Sequence, residues 1–395
     1  MSLFVSAKRL LQRWFGGNRR RPLLFVGLAG AVCLRSAVCL AGDLSLSTVN
    51  PATNNNFSAS TIGGVYAFGS QAISYNGKTC PQGCLDQNIA TNPYIEGVLL
   101  GYNWNQIETS DGVYNWSLVD NQVALVGAAG KVATIAIAAG VETPGWVYNE
   151  GAQSFNVVWD KAWGFTPCSN QRIPIPWDPV FLAKWQAFVT AFGARYDTNP
   201  TVASVKLTGF NSETAELFLP LSINEQINIG GHVCTGPNYV TQWQAAGYTR
   251  TLGEYAFNTI ESYFAAAFPN TPFEAMKGPA DFPPIDANGN ILNKTDGEDD
   301  QANTDVITAA IATYGQQFVL QNDGLSATWI WKLEESYASQ INTGYQMVSS
   351  PMGNQLSPAI NLALGGGATF LEISVPDIDN PQQTQTIDSA AQQLP

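Results

Sequence analysis

Apolar and polar residues follow two different periods along this chain, and together they predict strands that alternate with helices. Continuous apolar runs indicate strands buried on both faces; they lie at Gly63–Phe68, Gly97–Tyr102, Lys131–Ala139, Val202–Thr208, Phe273–Lys277, Phe318–Gln321, Gly344–Val348 and Thr369–Ile373. Segments with helical spacing lie at Leu118–Ala129, Pro179–Tyr196, Thr249–Phe268, Asp305–Gln317 and Ser357–Leu364. Eight strands with intervening helices predict one α/β domain, a single (β/α)8 TIM barrel with loop insertions.

The loops that follow the second and third predicted strands are rich in aromatic, amide and acidic residues. Asn103 and Trp104 end the second strand, and Thr143-Pro144-Gly145-Trp146 follows the third. In a (β/α)8 barrel the carboxyl ends of the strands form the face that carries the chemistry. Rings beside carboxylates suit a sugar, because its C–H faces stack on aromatic rings and its hydroxyls need acceptors.

The residues from Trp104 to Trp116 read W-N-Q-I-E-T-S-D-G-V-Y-N-W, and a helix and a strand ending in T-P-G-W come next. This pattern resembles the second and third barrel strands of clan A glycoside hydrolases, among them β-galactosidase-like and cellulase-like enzymes. The resemblance is clearest over residues 95–215. It implies cleavage of a glycosidic bond by two carboxylates, with the acid/base after strand four and the nucleophile at the end of strand seven.

Two carboxylates compete for the role of the acid. The resemblance implies a Glu directly behind an Asn after strand four; here Asn211 is followed by Ser212 and then by Glu213. Glu213 is therefore the first choice, and Glu216 is the second, because a shift at a helix start would turn it inward instead. The alternative is that both only favour a helix N-terminus by charge–dipole attraction.

The second carboxylate is harder to place, because Gln346 occupies the position at which the resemblance implies a nucleophile. Glu372 is the alternative, since a lone carboxylate in an apolar strand needs either partners or a position at the barrel mouth. A salt-bridged support residue is the competing interpretation of Glu372. Strands four and eight on opposite walls favour inversion, whereas the resemblance implies retention, and both stay open.

Several other carboxylates are predicted to have structural roles. Glu108 and Asp111 are expected to brace the loop after strand two, Asp377 to lie in a turn, and Glu334 and Glu335 to lie on an exposed helix face. Glu274, inside strand five, is a lesser candidate for the mouth.

The predicted sugar-binding residues are aromatic and amide side chains near strand ends. They are Asn103, Trp104, Trp146, Asn211, Trp331, Tyr345 and Gln346. Core packing is the alternative for each ring taken singly.

The chain has one histidine, His232, and this excludes much chemistry. No G-x-S-x-G or H-E-x-x-H accompanies it, so neither a serine hydrolase elbow nor a zincin site is predicted. The acidic loop Asp296–Asp300 is more simply a solvated loop than a calcium site. No cofactor and no metal are expected, and carboxylate chemistry remains.

Residues 1–41 are predicted to be a cleavable signal peptide, residues 42–60 a flexible lead-in, and residues 61–395 the catalytic barrel. A basic region precedes Pro22–Leu34, which is too short for an ordinary transmembrane helix. Arg19-Arg20-Arg21 leaves a twin-arginine signal open beside an ordinary secretory one. The first 41 residues hold seven of the 18 Lys and Arg and none of the 31 Asp and Glu, so the mature chain carries 11 − 31 = −20.

That charge excludes nucleic acid and anionic membrane as partners and is compatible with a neutral glycan. The expected protein is a secreted or periplasmic monomer. Four cysteines remain after cleavage and predict two disulfides, Cys80–Cys84 and Cys168–Cys234. A four-cysteine metal site is disfavoured by the spacing.

The leading hypothesis is an exported glycoside hydrolase acting on a β-linked polysaccharide or oligosaccharide. The alternative is a barrel that binds glycans without cleaving them, which the glutamine at position 346 favours. A polysaccharide lyase is disfavoured by the single histidine and the acidic mature chain.

Overall fold

The computed structural model describes residues 62–69, 72, 84–159, 168–212, 214–221, 226–229, 232–235, 238–277, 282–292 and 298–395. Within these ranges eight parallel strands close into one barrel, in which each strand pairs with its predecessor and successor in the chain. The strands are β1 (Gly64–Phe68), β2 (Gly97–Asn103), β3 (Val132–Ala138), β4 (Val202–Lys206), β5 (Phe273–Lys277), β6 (Phe318–Leu325), β7 (Thr343–Met347) and β8 (Phe370–Ser374). The predicted TIM barrel is confirmed. The predicted signal peptide and lead-in lie outside the described residues.

Helices follow the strands around the outside of the barrel. They are α1 (Gln87–Thr91), α2 (Trp104–Ile107), α3 (Ser117–Ala128), α4 (Gly145–Asn149), α5 (Pro179–Tyr196), α6 (Tyr239–Ala245), α7 (Arg250–Ala267), α8 (Asp300–Tyr314), α9 (Lys332–Tyr337), α10 (Leu356–Gly365), α11 (Val375–Ile378) and α12 (Thr384–Ala391). Helix α5 begins where it does because the Asp178 carboxylate accepts hydrogen bonds from the first free amides and Pro179 needs none. None of the described helices has both the length and the apolar character needed to cross a bilayer.

Contacts across the lumen identify the inner face of the strands. Lys206 on β4 forms ion pairs with Glu274 on β5 and Glu372 on β8, so these three side chains point into the barrel. Tyr66 on β1 lies in register with both Glu372 and Gly97. Because side chains alternate along a strand, Gly101 and Asn103 on β2 also face inward.

Two antiparallel hairpins extend from the barrel. One pairs Ser154–Trp159 with Ser169–Pro174 after β3, and the other pairs Gln226–Ile229 with His232–Thr235 after β4. A disulfide joins Cys168 to Cys234, with 5.3 Å between the Cα atoms, and so links the two insertions. This pairing confirms the sequence prediction. Cys84 is also disulfide-bonded, and its predicted partner Cys80 lies outside the described residues.

Candidate active site

The carboxyl ends of the eight strands form the mouth of the barrel, and its β2–β3 side is open. Gly101 is exposed, and a Cβ added there would have no heavy atom of the described residues within 4 Å. The inward residues beside it are small, because Ala136 lies in register with Gly101 and Ala138 with Asn103. The half-buried side chain of Asn103 borders this space. Its position fits the predicted role in binding sugar hydroxyls.

The lumen below the mouth is filled by a buried polar cluster. Lys206 lies at its centre; its Nζ contacts Glu372 Oε1 at 2.7 Å and also contacts Glu274 and Gln321. Desolvation alone would lower the pKa of Lys206, but the charges of Glu274 and Glu372 outweigh it, and the pKa is raised. The lysine is therefore charged, and the cluster closes the barrel at mid-height.

The catalytic prediction for Glu372 is corrected by this placement. Glu372 has no exposed surface and is held by Lys206, so it does not reach a ligand at the mouth. Its surroundings match the alternative prediction, in which Glu372 is a support residue held by a salt bridge. The sequence shows an isolated acid in an apolar strand, but the partner comes from a strand 166 residues away. Glu274 is likewise fully buried and does not reach the mouth.

Gln346 lies on the inner face of β7, in register with Glu372. The predicted and observed strand seven differ by one residue at each end, so a slip in the strand count does not explain the missing nucleophile. The position where clan A enzymes place a carboxylate holds an amide, of which 3% is exposed.

The loop after β4 is braced by Asn211. Its side chain accepts a hydrogen bond from the Gly209 amide at 2.8 Å and donates one to the Thr214 carbonyl at 2.5 Å. Since its polar atoms serve the loop and it is 3% exposed, the predicted role of Asn211 in binding sugar is corrected. Glu213 lies outside the described residues. Glu216 is half-buried, and Leu217 beside it donates to the Met276 carbonyl at the end of β5.

Trp104 belongs to the outer core and not to the mouth. It has no exposed surface; its ring centroid lies 4.8 Å from that of Trp185 on α5, and its Nε1 donates to Glu108 Oε2 at 2.7 Å. Trp146 is half-buried against the edge of Trp104, and Lys184 of α5 lies 5.7 Å from its ring centroid. Both rings therefore line the outer wall, which corrects the sugar-stacking prediction for Trp104 and argues against the one for Trp146.

Tyr345 faces outward from β7. It is fully buried, and its hydroxyl donates to the Gly366 carbonyl at 3.5 Å. This corrects its predicted role in binding substrate. Trp331 is half-buried near the end of β5, with Lys277 Nζ 5.3 Å from its ring centroid. A role of Trp331 in binding sugar stays a prediction.

The expected loop braces agree with the structure. Glu108 accepts hydrogen bonds from Trp104 and from the Gly112 amide, and Asp111 forms an ion pair with Lys184. Asp377, predicted to lie in a turn, lies instead in the short helix α11; it is buried and accepts from the Met352 and Gly353 amides and from Ser374, so it orders the loop after β7.

The prediction that Glu334 lies on an exposed helix face is wrong. It has no exposed surface, and burial raises its pKa well above the usual range. The helix that carries Glu334, Lys332–Tyr337, has only six residues, too few for its apolar side to be recognised in the sequence. No group of three or more His, Cys, Asp or Glu side chains in the described ranges is placed to hold a metal ion.

The sequence matches no protein-family model and no curated protein. The structure is similar to the catalytic domain of β-amylase from Paenibacillus polymyxa, with a TM-score of 0.51, 10% identity, and coverage of 78% of this chain and 94% of that chain. The shared feature is the fold.

Two further solved structures are similar to this chain at lower scores. A psychrophilic glycoside hydrolase family 10 endo-β-1,4-xylanase has a TM-score of 0.44 and 10% identity, over 82% of this chain and 95% of that chain. β-Galactosidase from the psychrophilic Marinomonas ef1 has a TM-score of 0.42 and 11% identity, over 77% of this chain and 55% of that chain.

Sequence reasoning missed one residue at the mouth, Asp323. The predicted strand six ends at Gln321, because Asn322-Asp323-Gly324 has the composition of a turn. The observed β6 continues to Leu325 and includes Asp323. Leu325, the apolar residue that follows this polar stretch, is fully buried, and it is the signal in the sequence that the strand continues.

Proposed function

We propose that this chain is an exported glycoside hydrolase that cleaves a β-linked polysaccharide or oligosaccharide at the mouth of its barrel. The observation that supports this best is the open space over Gly101 and Asn103, on the face where barrel enzymes act. The loop after β4, which bears Glu213 and Glu216, enters the same face. A ligand with many hydroxyls suits a site with an amide, Asn103, at its edge.

The chemistry assigned to the site needs an acid and a second carboxylate. The acid protonates the oxygen of the leaving sugar while the other group acts as nucleophile or as base toward water. Glu213 is the proposed acid, on the basis of its place behind Asn211 after strand four, and Glu216 is the alternative.

Export is supported by the disulfide between Cys168 and Cys234, since such bonds persist in oxidising compartments. The basic and apolar segment within residues 1–41 supports the same proposal. The charge of −20 expected for the mature chain favours neutral glycans over polyanionic ones.

The test is the release of reducing ends from β-glucans, xylans, mannans and galactans at mildly acidic pH. We expect Glu213→Gln to lower the rate by about 10²–10⁴-fold, the usual contribution of a general acid. Glu96→Gln is the matched control, because Glu96 is exposed at the opposite end of the barrel, directly before β2. An inactive Glu216→Gln beside an active Glu213→Gln would transfer the acid role to Glu216.

A second candidate function, glycan binding without cleavage, is favoured by the amide at position 346 and by the ion pairing of Glu372. It predicts retention on immobilised glycans with no release of sugar from any of them. Sugar release that survives in Glu96→Gln and is lost in Glu213→Gln would exclude it.

A further inference from the structure

The lumen-facing end of β6 carries the carboxylate of Asp323, which has no role in the proposed hydrolase site. Among described residues, the last lumen-facing positions of the eight strands are Phe68, Asn103, Ala138, Lys206, Met276, Asp323, Gln346 and Ser374, and Asp323 alone is acidic. Gln321 points into the barrel because it contacts Lys206. Asp323 lies two residues further along the same strand, so alternation directs it to the same face, nearer the mouth.

A β-bulge sets the position of Asp323 relative to β7. Asn322 pairs with Tyr345 and Leu325 pairs with Met347, so Asp323 and Gly324 together oppose the single residue Gln346. Bulges of this kind occur at the rims of barrels and next to active sites, where they redirect a side chain. Asp323 therefore lies beside Gln346, and 8% of it is exposed, whereas Glu372 has no exposed surface.

An exposed ring lies against the same bulge. A Cβ on Gly324 would come within 3.0 Å of Trp329 Cζ3, so the glycine lets the indole approach the backbone next to Asp323. The Ser326 amide donates to the Trp329 carbonyl at 3.2 Å and holds the loop in place. Trp329 is 42% exposed. An exposed ring next to a carboxylate at the strand ends is suited to a sugar.

We propose that Asp323 is the second catalytic carboxylate, in the role for which Gln346 is unsuited, and that Trp329 stacks on the sugar it serves. The proposal rests on the proposed hydrolase function. Strands β4 and β6 lie on either side of β5, so the distance between them is about two strand spacings, or roughly 9–10 Å. Side chains that reach inward from these strands lie closer together than the strands do, which suits the carboxyl separation of about 6.5–9.5 Å in inverting enzymes, where a water molecule fits between the two groups.

Asp323 accordingly acts as the base. It takes a proton from water while the water oxygen forms a bond to the anomeric carbon. The bond from that carbon to the leaving oxygen breaks, and its electron pair stays with the oxygen. The leaving oxygen takes a proton from the acid on the loop after β4. One water is consumed, the anomeric configuration inverts, and proton exchange with solvent resets both carboxyl groups.

The experiment uses the full-length mature chain and the substrate found in the glycan panel. We expect Asp323→Asn to lower kcat by at least about a hundredfold. Asp323→Gly with added azide should recover turnover and give a glycosyl azide, because azide attacks without a base. Asp305→Asn, on the exposed face of α8, is the matched control and should keep full activity. Trp329→Ala should raise KM more than it lowers kcat.

The stereochemistry of the first product, followed by NMR, completes the test, and inversion is expected. Full activity of Asp323→Asn, or loss of activity without azide rescue in a variant with an unchanged unfolding midpoint, would overturn the proposal and leave the hydrolase function standing. Retention of configuration would overturn the role of Asp323 as a base. No release of sugar by the parent protein on any glycan would overturn both.

Discussion

Lys206 is buried on every side, and its charge is matched by two carboxylates from different strands. Removing an ion from water is expensive, and the attraction between partners offsets this only when all of them are present. The cluster is therefore sensitive to the loss of one member. It also explains why Glu274 and Glu372 are found inside a barrel at all.

Replacing Lys206 by methionine leaves two carboxylates buried beside each other without a cation. We expect Lys206→Met to lower the free energy of unfolding by about 3–5 kcal/mol, measured by urea denaturation at pH 7. Adding Glu274→Gln and Glu372→Gln to the same chain removes both uncompensated charges and should recover much of the loss. A triple variant no more stable than Lys206→Met would contradict this account.

The same residue gives a pH dependence with a definite sign. The folded-state pKa of Lys206 is raised above its unfolded value of 10.5, so the folded state binds the proton more tightly. Its contribution to stability is complete below pH 10.5 and is lost as pH rises through the folded pKa. The parent should therefore lose stability in this alkaline range more steeply than the triple variant does.

Helices α5 and α7 approach each other closely at one glycine. A Cβ on Gly193 would lie 2.1 Å from the Ala267 carbonyl oxygen, which belongs to backbone and has little freedom to move. The contact between these two elements therefore depends on the absence of a side chain at this position.

We expect Gly193→Ala to lower the free energy of unfolding by about 2–3 kcal/mol, because the helices must separate to admit the methyl group. Gly101→Ala adds the same atom at a position with nothing within 4 Å and should leave stability nearly unchanged. Thermal unfolding of the two variants side by side measures the difference. Equal midpoints would show that α5 and α7 adjust to the added methyl group.

At the scale of elements, the sequence predicts most of this fold. Every barrel strand except the sixth agrees with the structure to within two residues at each end, because strands buried on both faces are continuous apolar runs. The predicted strand six ends at Gln321, because Asn322-Asp323-Gly324 has the composition of a turn. The lumen of this barrel is polar at mid-height, around Lys206, although an apolar cluster of Ile62, Tyr66, Val319 and Phe370 also lies inside it.

The direction of side chains at the mouth was the part that sequence could not supply. Asn103 faces the lumen, whereas Trp104, one residue later, packs against α5. Gln346 faces inward and Tyr345 outward for the same reason. A prediction uncertain by one residue at a strand end therefore reverses which side chain meets a ligand.

At the scale of the whole molecule, the disulfide between Cys168 and Cys234 links insertions that are 66 residues apart in sequence. Closing a loop of that length is expected to stabilise the folded state by about 4 kcal/mol, in a model based on the entropy of the unfolded chain. The double substitution Cys168→Ser and Cys234→Ser should lower the unfolding midpoint accordingly. A matched control is Cys80→Ser with Cys84→Ser, whose predicted five-residue loop corresponds to only about 2 kcal/mol. A larger loss in the control would contradict the loop-length argument.

The cluster around Lys206 affects how a ligand can enter and leave the barrel. Because side chains from β4, β5, β6 and β8 meet on the axis, the lumen is filled at mid-height in the described part of the chain. A molecule that enters the lumen leaves by the way it came. For the proposed hydrolase, the departing fragment and the next substrate would use the same face of the barrel, and accumulating product should act as a competitive inhibitor.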